Sequence, residues 1–181
     1  MTLRTLAEKY PTDKFTRHSY LAIYENLFEP IRENVKNVLE VGIQDGYSFS
    51  LWNEYFFNAV VYGVDIIELP PNFTMMNRMA FYKGDAYNIE FVQQNFSNKS
   101  FDVLIDDGPH TLPSMVFFAQ HYSKLLNLGG VLVIEDIQDI DWVPLIIDAF
   151  PHELQGMTEV LDKRDNRYDD VLIVLQKKGD G

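Results

Sequence analysis

The sequence predicts an α/β domain: a doubly wound, mainly parallel seven-stranded sheet with helices on both faces and antiparallel strands at one edge. Three observations carry this expectation. Short β-rich apolar runs alternate with segments of helical periodicity along most of the chain, as in a parallel sheet built from crossover units. The stretch Val38-Leu39-Glu40-Val41-Gly42-Ile43-Gln44-Asp45-Gly46-Tyr47-Ser48 joins one such strand to a helix start through a glycine turn. The last two apolar runs, Leu154–Leu161 and Asp170–Gln176, have no helix between them and so pair antiparallel at an edge.

Taken in order, Leu3–Lys14 is polar and broken by Pro11. His18–Arg32 is helical, because Tyr20, Ile23, Tyr24, Leu27 and Phe28 recur at three and four to form one apolar stripe, and Pro30 marks its end or a bend. These residues fall in an N-terminal helical segment, 1–34, a candidate lid. The core, 35–181, starts with strand Val35–Val41 and helix Tyr47–Phe57. Strands follow at Val60–Ile66, Met79–Tyr82, Phe101–Asp106 and Val131–Ile134, the last entered through a Leu128-Gly129-Gly130 turn. Helices are expected at Asn88–Phe96, Pro113–Leu126 and Ile140–Phe150, with proline acceptable in the first turn of the second. Lys163-Arg164-Asp165-Asn166-Arg167 is a solvated hairpin turn or a substrate contact.

A chain of 181 residues with 46% hydrophobic content suits one domain with an ample core. Its net charge of -12 repels phosphate backbones and disfavours a nucleic-acid partner. With no cysteine, disulfides and thiolate metal sites are excluded. The first residues hold no apolar core of signal-peptide length, and no run approaches the ~20 apolar residues of a membrane span. A soluble, cytoplasmic protein with no membrane partner is expected.

Ligands of doubly wound sheets bind beyond the carboxyl ends of the strands. Here those ends carry Glu40, Asp65, Asp85, Asp106 with Asp107, and Glu135 with Asp136, more acid than a solvated face requires. Gly42 and Gly46 are four apart, an E-x-G-x-x-x-G turn and not the dinucleotide fingerprint. Neighbouring parallel strands lie ~4.8 Å apart, so Asp107, Glu135 and Asp136 could share one oxygen-liganded cation; otherwise one or more caps the following helix. Without a cation, acids this close raise one another's pKa. His110, three residues after Asp107, is a candidate general base or a helix cap.

Four stretches give the chain a family likeness: Thr12-Asp13-Lys14 with His18 and Tyr20, Val38–Ser48, Leu104-Ile105-Asp106-Asp107-Gly108-Pro109-His110, and Val133-Ile134-Glu135-Asp136. Over nearly its full length it resembles the class I S-adenosylmethionine (SAM) methyltransferases. Within them it is similar to the Mg-dependent sugar O-methyltransferases of macrolide biosynthesis and the cephalosporin-hydroxylase-like group. The resemblance implies a SAM site made by Glu40, Gly42, Gly46 and Ser48 at the amino-acid end, Asp65 at the ribose, Asp85 at the adenine, and Asp106 and Tyr20 alongside. Asp65 could instead cap a helix, and Asp85 could be a turn residue. The resemblance further implies Asp107, Glu135 and Asp136 as ligands of Mg²⁺ (or Mn²⁺), and His110 as the base that takes a proton from a sugar hydroxyl. Pro109 departs from the small polar residue common at that place. The acceptor implied is a hydroxylated small molecule, a sugar or glycoside. A phenolic or nitrogen acceptor, or a non-catalytic SAM-binding module, is the alternative. With no evident insertion to cap a substrate, the cap is expected from residues 1–20, from the 66–78 loop or from another subunit, the last of which favours a homo-oligomer.

Overall fold

The computed structural model describes residues 1–165 and 167–178. Its N-terminal part holds helices α1 (Leu3–Lys9), α2 (Asp13–Thr16) and α3 (Leu21–Phe28). Strand β1 (Asn37–Val41), helix α4 (Tyr47–Tyr55), strands β2 (Val60–Asp65) and β3 (Met79–Lys83), helix α5 (Ile89–Phe96) and strand β4 (Phe101–Asp106) follow. The rest comprises α6 (Leu112–His121), β5 (Leu126–Ile134), α7 (Val143–Ala149), α8 (His152–Gln155), β6 (Thr158–Asp162) and β7 (Val171–Gln176).

The seven strands form one sheet in the order β3-β2-β1-β4-β5-β7-β6. β1, β2, β3, β4 and β5 pair in parallel, whereas β7 pairs antiparallel with both β5 and β6. The winding reverses between β1 and β4, which opens a crevice beyond their carboxyl ends. Residues alternate across the sheet and fill two cores. Leu39, Leu104, Leu132 and Ile173 pack under α5, α6 and α7. Val38, Val103, Ile105, Val133 and Leu172 pack under α1, α3 and α4. Glu40, two residues from Val38, faces the second of these cores and is fully buried in it.

Several boundaries differ from expectation. Residues 3–14 form two short helices, one on each side of Pro11, because Thr2 caps α1 by accepting from Thr5 N at 3.2 Å and Leu3 and Leu6 are buried. The third helix is shorter than His18–Arg32 and ends before Pro30, as a proline requires. Leu128-Gly129-Gly130 lies inside β5 rather than before it, at a register irregularity opposite Phe101 and Val103. That longer strand truncates α6, whose chain finishes in a 3₁₀ turn, Tyr122–Leu125. α8 was not anticipated and shortens the first ribbon strand to β6. The charged loop before β7 includes Asn166, which lies outside the described residues; Arg164 pairs with Asp162 and Arg167 with Asp169. Among the described residues no helix is long and apolar enough to cross a membrane.

Candidate functional site

The glycine turn after β1 sets the geometry at the switch point. Gly42 has φ +82°, and a Cβ built there would stand 1.9 Å from the Asp107 carbonyl oxygen. Only glycine allows this approach. Gly46, at φ +81°, starts α4 under the ring of Phe73. Asp65 fastens the turn: its Oδ2 accepts from Ile43 N at 3.0 Å and Gln44 N at 2.9 Å, and its Oδ1 from Ile67 N at 3.1 Å. Glu40 accepts from Ser48 Oγ at 2.8 Å and Trp52 Nε1 at 3.2 Å, tying β1 to α4. Burial pushes the Glu40 carboxyl up to about 7.

Two clefts meet at Gly42. One, of about 510 Å³, is floored by Val41, Val64 and Ala86, with Asp65 and Asp85 on its wall. Asp85 also accepts from Tyr87 N at 2.9 Å, an Asx turn. The other, of about 270 Å³, is polar and lined by Thr12, Arg17, Ser48 and Asp107 among others. An apolar slot with carboxylates at its edge, continuing into a polar pocket, fits an adenosine joined to an amino acid. Asp106 lies behind this wall, its carboxyl bonded by the Tyr87 hydroxyl.

The metal candidates come from the ends of β4 and β5. Ligand atoms of Asp107, His110 and Asp136 lie within 4.8 Å of one another. His110 Nε2 stands 3.6 Å from Asp107 Oδ1 and 3.7 Å from Asp136 Oδ2. His110 and Asp136 have positive φ, 51° and 56°, a conformation uncommon outside glycine. His110 does not cap α6. Thr111 does, in a capping box with Ser114.

The N-terminal segment holds the remaining oxygens. Lys14 Nζ donates to Asp107 Oδ2 and to Glu135 Oε2, the latter at 2.6 Å, and lies 3.4 Å from Glu40 Oε1. Tyr24 donates its hydroxyl to Glu135 Oε1, and Tyr20 donates to Asp136 Oδ1. His18 Nδ1 is 2.6 Å from Asp170 Oδ1 and 3.3 Å from Asp136 Oδ1. The structure therefore places Tyr20 behind Asp136 and turns both Glu135 oxygens to Lys14 and Tyr24. Each of Asp107 and Asp136 has one oxygen tied to the N-terminal segment and the other turned toward His110. Burial raises the Asp107 and Glu135 carboxyls, against the pull of Lys14. Burial alone would depress the Lys14 ammonium, but the three carboxylates around it outweigh this and hold it well above its usual value. Carboxylate oxygens arranged around a buried positive charge are a donor set that suits a hard divalent cation.

Lys14, Tyr24 and Tyr87 are contacts that sequence reasoning missed. In the sequence Tyr24 belongs to an apolar stripe, Lys14 belongs to the Thr12-Asp13-Lys14 stretch with no role of its own, and Tyr87 carries no signal.

Asp106 carries a pH signature. Burial raises its carboxyl to about 7, with the Tyr87 hydrogen bond working the other way. The folded state thus binds its proton more tightly than the unfolded chain does. Its contribution to stability is complete below the ordinary carboxylate range and is lost as pH rises through about 7. Asp106→Asn removes that loss. In thermal unfolding of the ligand-free protein, the Tm advantage of Asp106→Asn over wild type should widen from pH 5 to pH 8. A constant difference would refute the assignment.

No family model matches the chain. It is 30% identical over 148 residues to the 8-demethyl-8-alpha-L-rhamnosyl tetracenomycin-C 2'-O-methyltransferase of Streptomyces olivaceus, covering 77% of this chain and 39% of that one. It is 29% identical over 164 residues to the mycinamicin VI 2''-O-methyltransferase of Micromonospora griseorubida, covering 85% and 40%. Among solved structures, the MycE methyltransferase of the mycinamycin biosynthetic pathway, in complex with Mg, SAH and mycinamycin VI, superposes with a TM-score of 0.79 at 22% identity. That match covers 98% of this chain and 55% of MycE. The chain thus spans about two-fifths of the length of these curated relatives. In fold it is a class I methyltransferase, and in sequence it is a relative of the sugar O-methyltransferases of macrolide and polyketide pathways.

Proposed function

We propose that this chain binds SAM and Mg²⁺ and transfers a methyl group to a hydroxyl of a sugar or glycosylated small molecule. The observation that carries this reading is the arrangement of Asp107, His110 and Asp136 beside the Gly42 clefts. There two carboxylate oxygens face an imidazole within 4.8 Å. The Gly42 turn, Asp65 and Asp85 hold the methyl donor. Asp107, Glu135 and Asp136 hold the cation. Bound there, Mg²⁺ supplies Lewis acidity that makes an acceptor hydroxyl easier to deprotonate. His110 accepts the hydroxyl proton as the acceptor oxygen takes the methyl group. The net charge of -12 supports a small-molecule acceptor over a nucleic acid. A cap over the acceptor comes from residues 1–20, from the 66–78 loop or from a second copy of the chain.

Methyl transfer to a panel of deoxysugar glycosides tests the reading. Activity should vanish in EDTA and return with Mg²⁺ or Mn²⁺. Asp107→Ala and Asp136→Ala should each abolish that return. Because Asp136 lines neither cleft at Gly42, Asp136→Ala should leave S-adenosylhomocysteine affinity within about threefold. Full activity in chelator would refute the metal assignment, and no binding of S-adenosylhomocysteine by the wild type would refute the cofactor assignment.

A further inference from the structure

Lys14 is 1% exposed, which is unusual for a lysine. It comes from α2, on the N-terminal segment, and reaches three carboxylates from three strands of the sheet: Glu40 in β1, Asp107 after β4 and Glu135 after β5. A buried ammonium is tolerated only while such partners surround it. Two of the three, Asp107 and Glu135, are residues to which the resemblance gives a different cation. The Lys14 ammonium stands between them. An ammonium bonded to one oxygen of Asp107 and to Glu135 would stand close to a divalent ion held on the other oxygen of Asp107, and the two would repel strongly in so buried a place.

α2 is also a short, weakly capped element. It is a single four-residue turn, and its N-cap Thr12 makes no side-chain capping hydrogen bond. The polar cleft of about 270 Å³ lies alongside it, lined by Thr12, Asp13, Thr16 and Arg17 on one side and by Gly42 and Asp107 on the other. Space for a shift is thus present next to the residue that would move. Phe15 contacts Tyr24 and Trp52 edge-on at ring-centroid distances of 6.2 and 6.4 Å, which gives the turn an apolar pivot.

We propose that Lys14 is a displaceable internal counter-ion: a divalent cation takes Asp107 and Glu135 from it, and the ammonium swings with α2 away from buried Glu40 toward the polar cleft. The proposal rests on the metal reading above. It makes the N-terminal segment a reporter of metal occupancy. Because Thr12 and Arg17 line the polar cleft, it also couples the cation to the pocket assigned to the amino-acid end of the methyl donor. Glu135 then has two states, paired with Lys14 when the cation is absent and free to ligate when it is present.

Acetylation of the wild-type protein, read by mass spectrometry, tests this without any substitution. In EDTA, Lys14 should be protected while Lys9 and Lys83, with side chains 51% and 50% exposed, are modified. In saturating Mg²⁺, confirmed by calorimetry, Lys14 should be modified about tenfold faster or more, with Lys9 and Lys83 unchanged. Lys14→Met should bind Mn²⁺ about tenfold more tightly than wild type, because a competing cation is gone. Continued protection of Lys14 in saturating Mg²⁺ would overturn the proposal, whatever the variant does, and make Lys14 a fixed support of Asp107. Absence of any divalent-ion binding by the wild type would overturn both this proposal and the metal reading.

Discussion

His110→Ala is expected to lower kcat by ~10²–10⁴, the usual span for loss of a general base, with little change in S-adenosylhomocysteine or Mg²⁺ affinity. The imidazole stands 3.6 Å from one candidate ligand and 3.7 Å from the other. A hydroxyl held by a cation between those carboxylates would lie within reach of Nε2. A purely structural role is the competing account, and the backbone supplies a control for it. His110 has φ +51°, a conformation that asparagine tolerates better than alanine. His110→Asn should therefore keep near-wild-type Tm while losing activity as deeply as His110→Ala. If His110→Asn retained near-wild-type kcat, the base assignment would fall and the cation alone would have to acidify the acceptor.

Gly42→Ala should destabilise the protein by about 2–5 kcal/mol. Two effects add. The left-handed backbone costs a residue with a Cβ about 1–2 kcal/mol, and forcing an atom into a packed site costs about 1–3 kcal/mol more. The added carbon would stand 1.9 Å from the Asp107 carbonyl oxygen and 2.5 Å from its carbon, both backbone atoms that no rotamer change can move. Relief requires β1 and the β4 end to separate. That would break the 2.9 Å hydrogen bond from Asp107 N to Val41 O and displace a candidate metal ligand. Denaturant unfolding should show the loss, and any folded fraction should bind Mg²⁺ weakly. A loss below about 1 kcal/mol would mean that the turn is softer than its packing indicates.

The sheet was legible because its signals are local. Runs such as Val131–Ile134 and Val103–Ile105 are apolar without interruption, as strands covered on both faces require. The glycine turn and the acids at the strand ends could be read for the same reason. The N-terminal contacts could not. Lys14 lies 93 residues from Asp107 and 121 from Glu135, and nothing in its neighbours marks it as buried. By composition, a lysine beside Asp13 belongs on the surface. Tyr24 satisfies the apolar periodicity of its helix and conceals a hydroxyl aimed at Glu135. The two-way choice for His110, base or cap, is narrowed by Thr111. A threonine two residues before Pro113 is itself a good N-cap, a cue that was present and passed over.

The hydrogen bond between His18 and Asp170 joins residues 152 positions apart. It has a consequence for how the protein is made. A nascent chain leaving the ribosome can form α4, the glycine turn and most of the parallel strands while β7 is still unsynthesised. Until residue 170 emerges, His18 lacks the nearer of its two carboxylate partners. Contacts of such sequence separation form slowly. The support behind His18 and Asp136 is therefore among the last parts of the molecule to be completed, and a truncation before β7 would leave five paired strands with β5 as an uncovered hydrophobic edge.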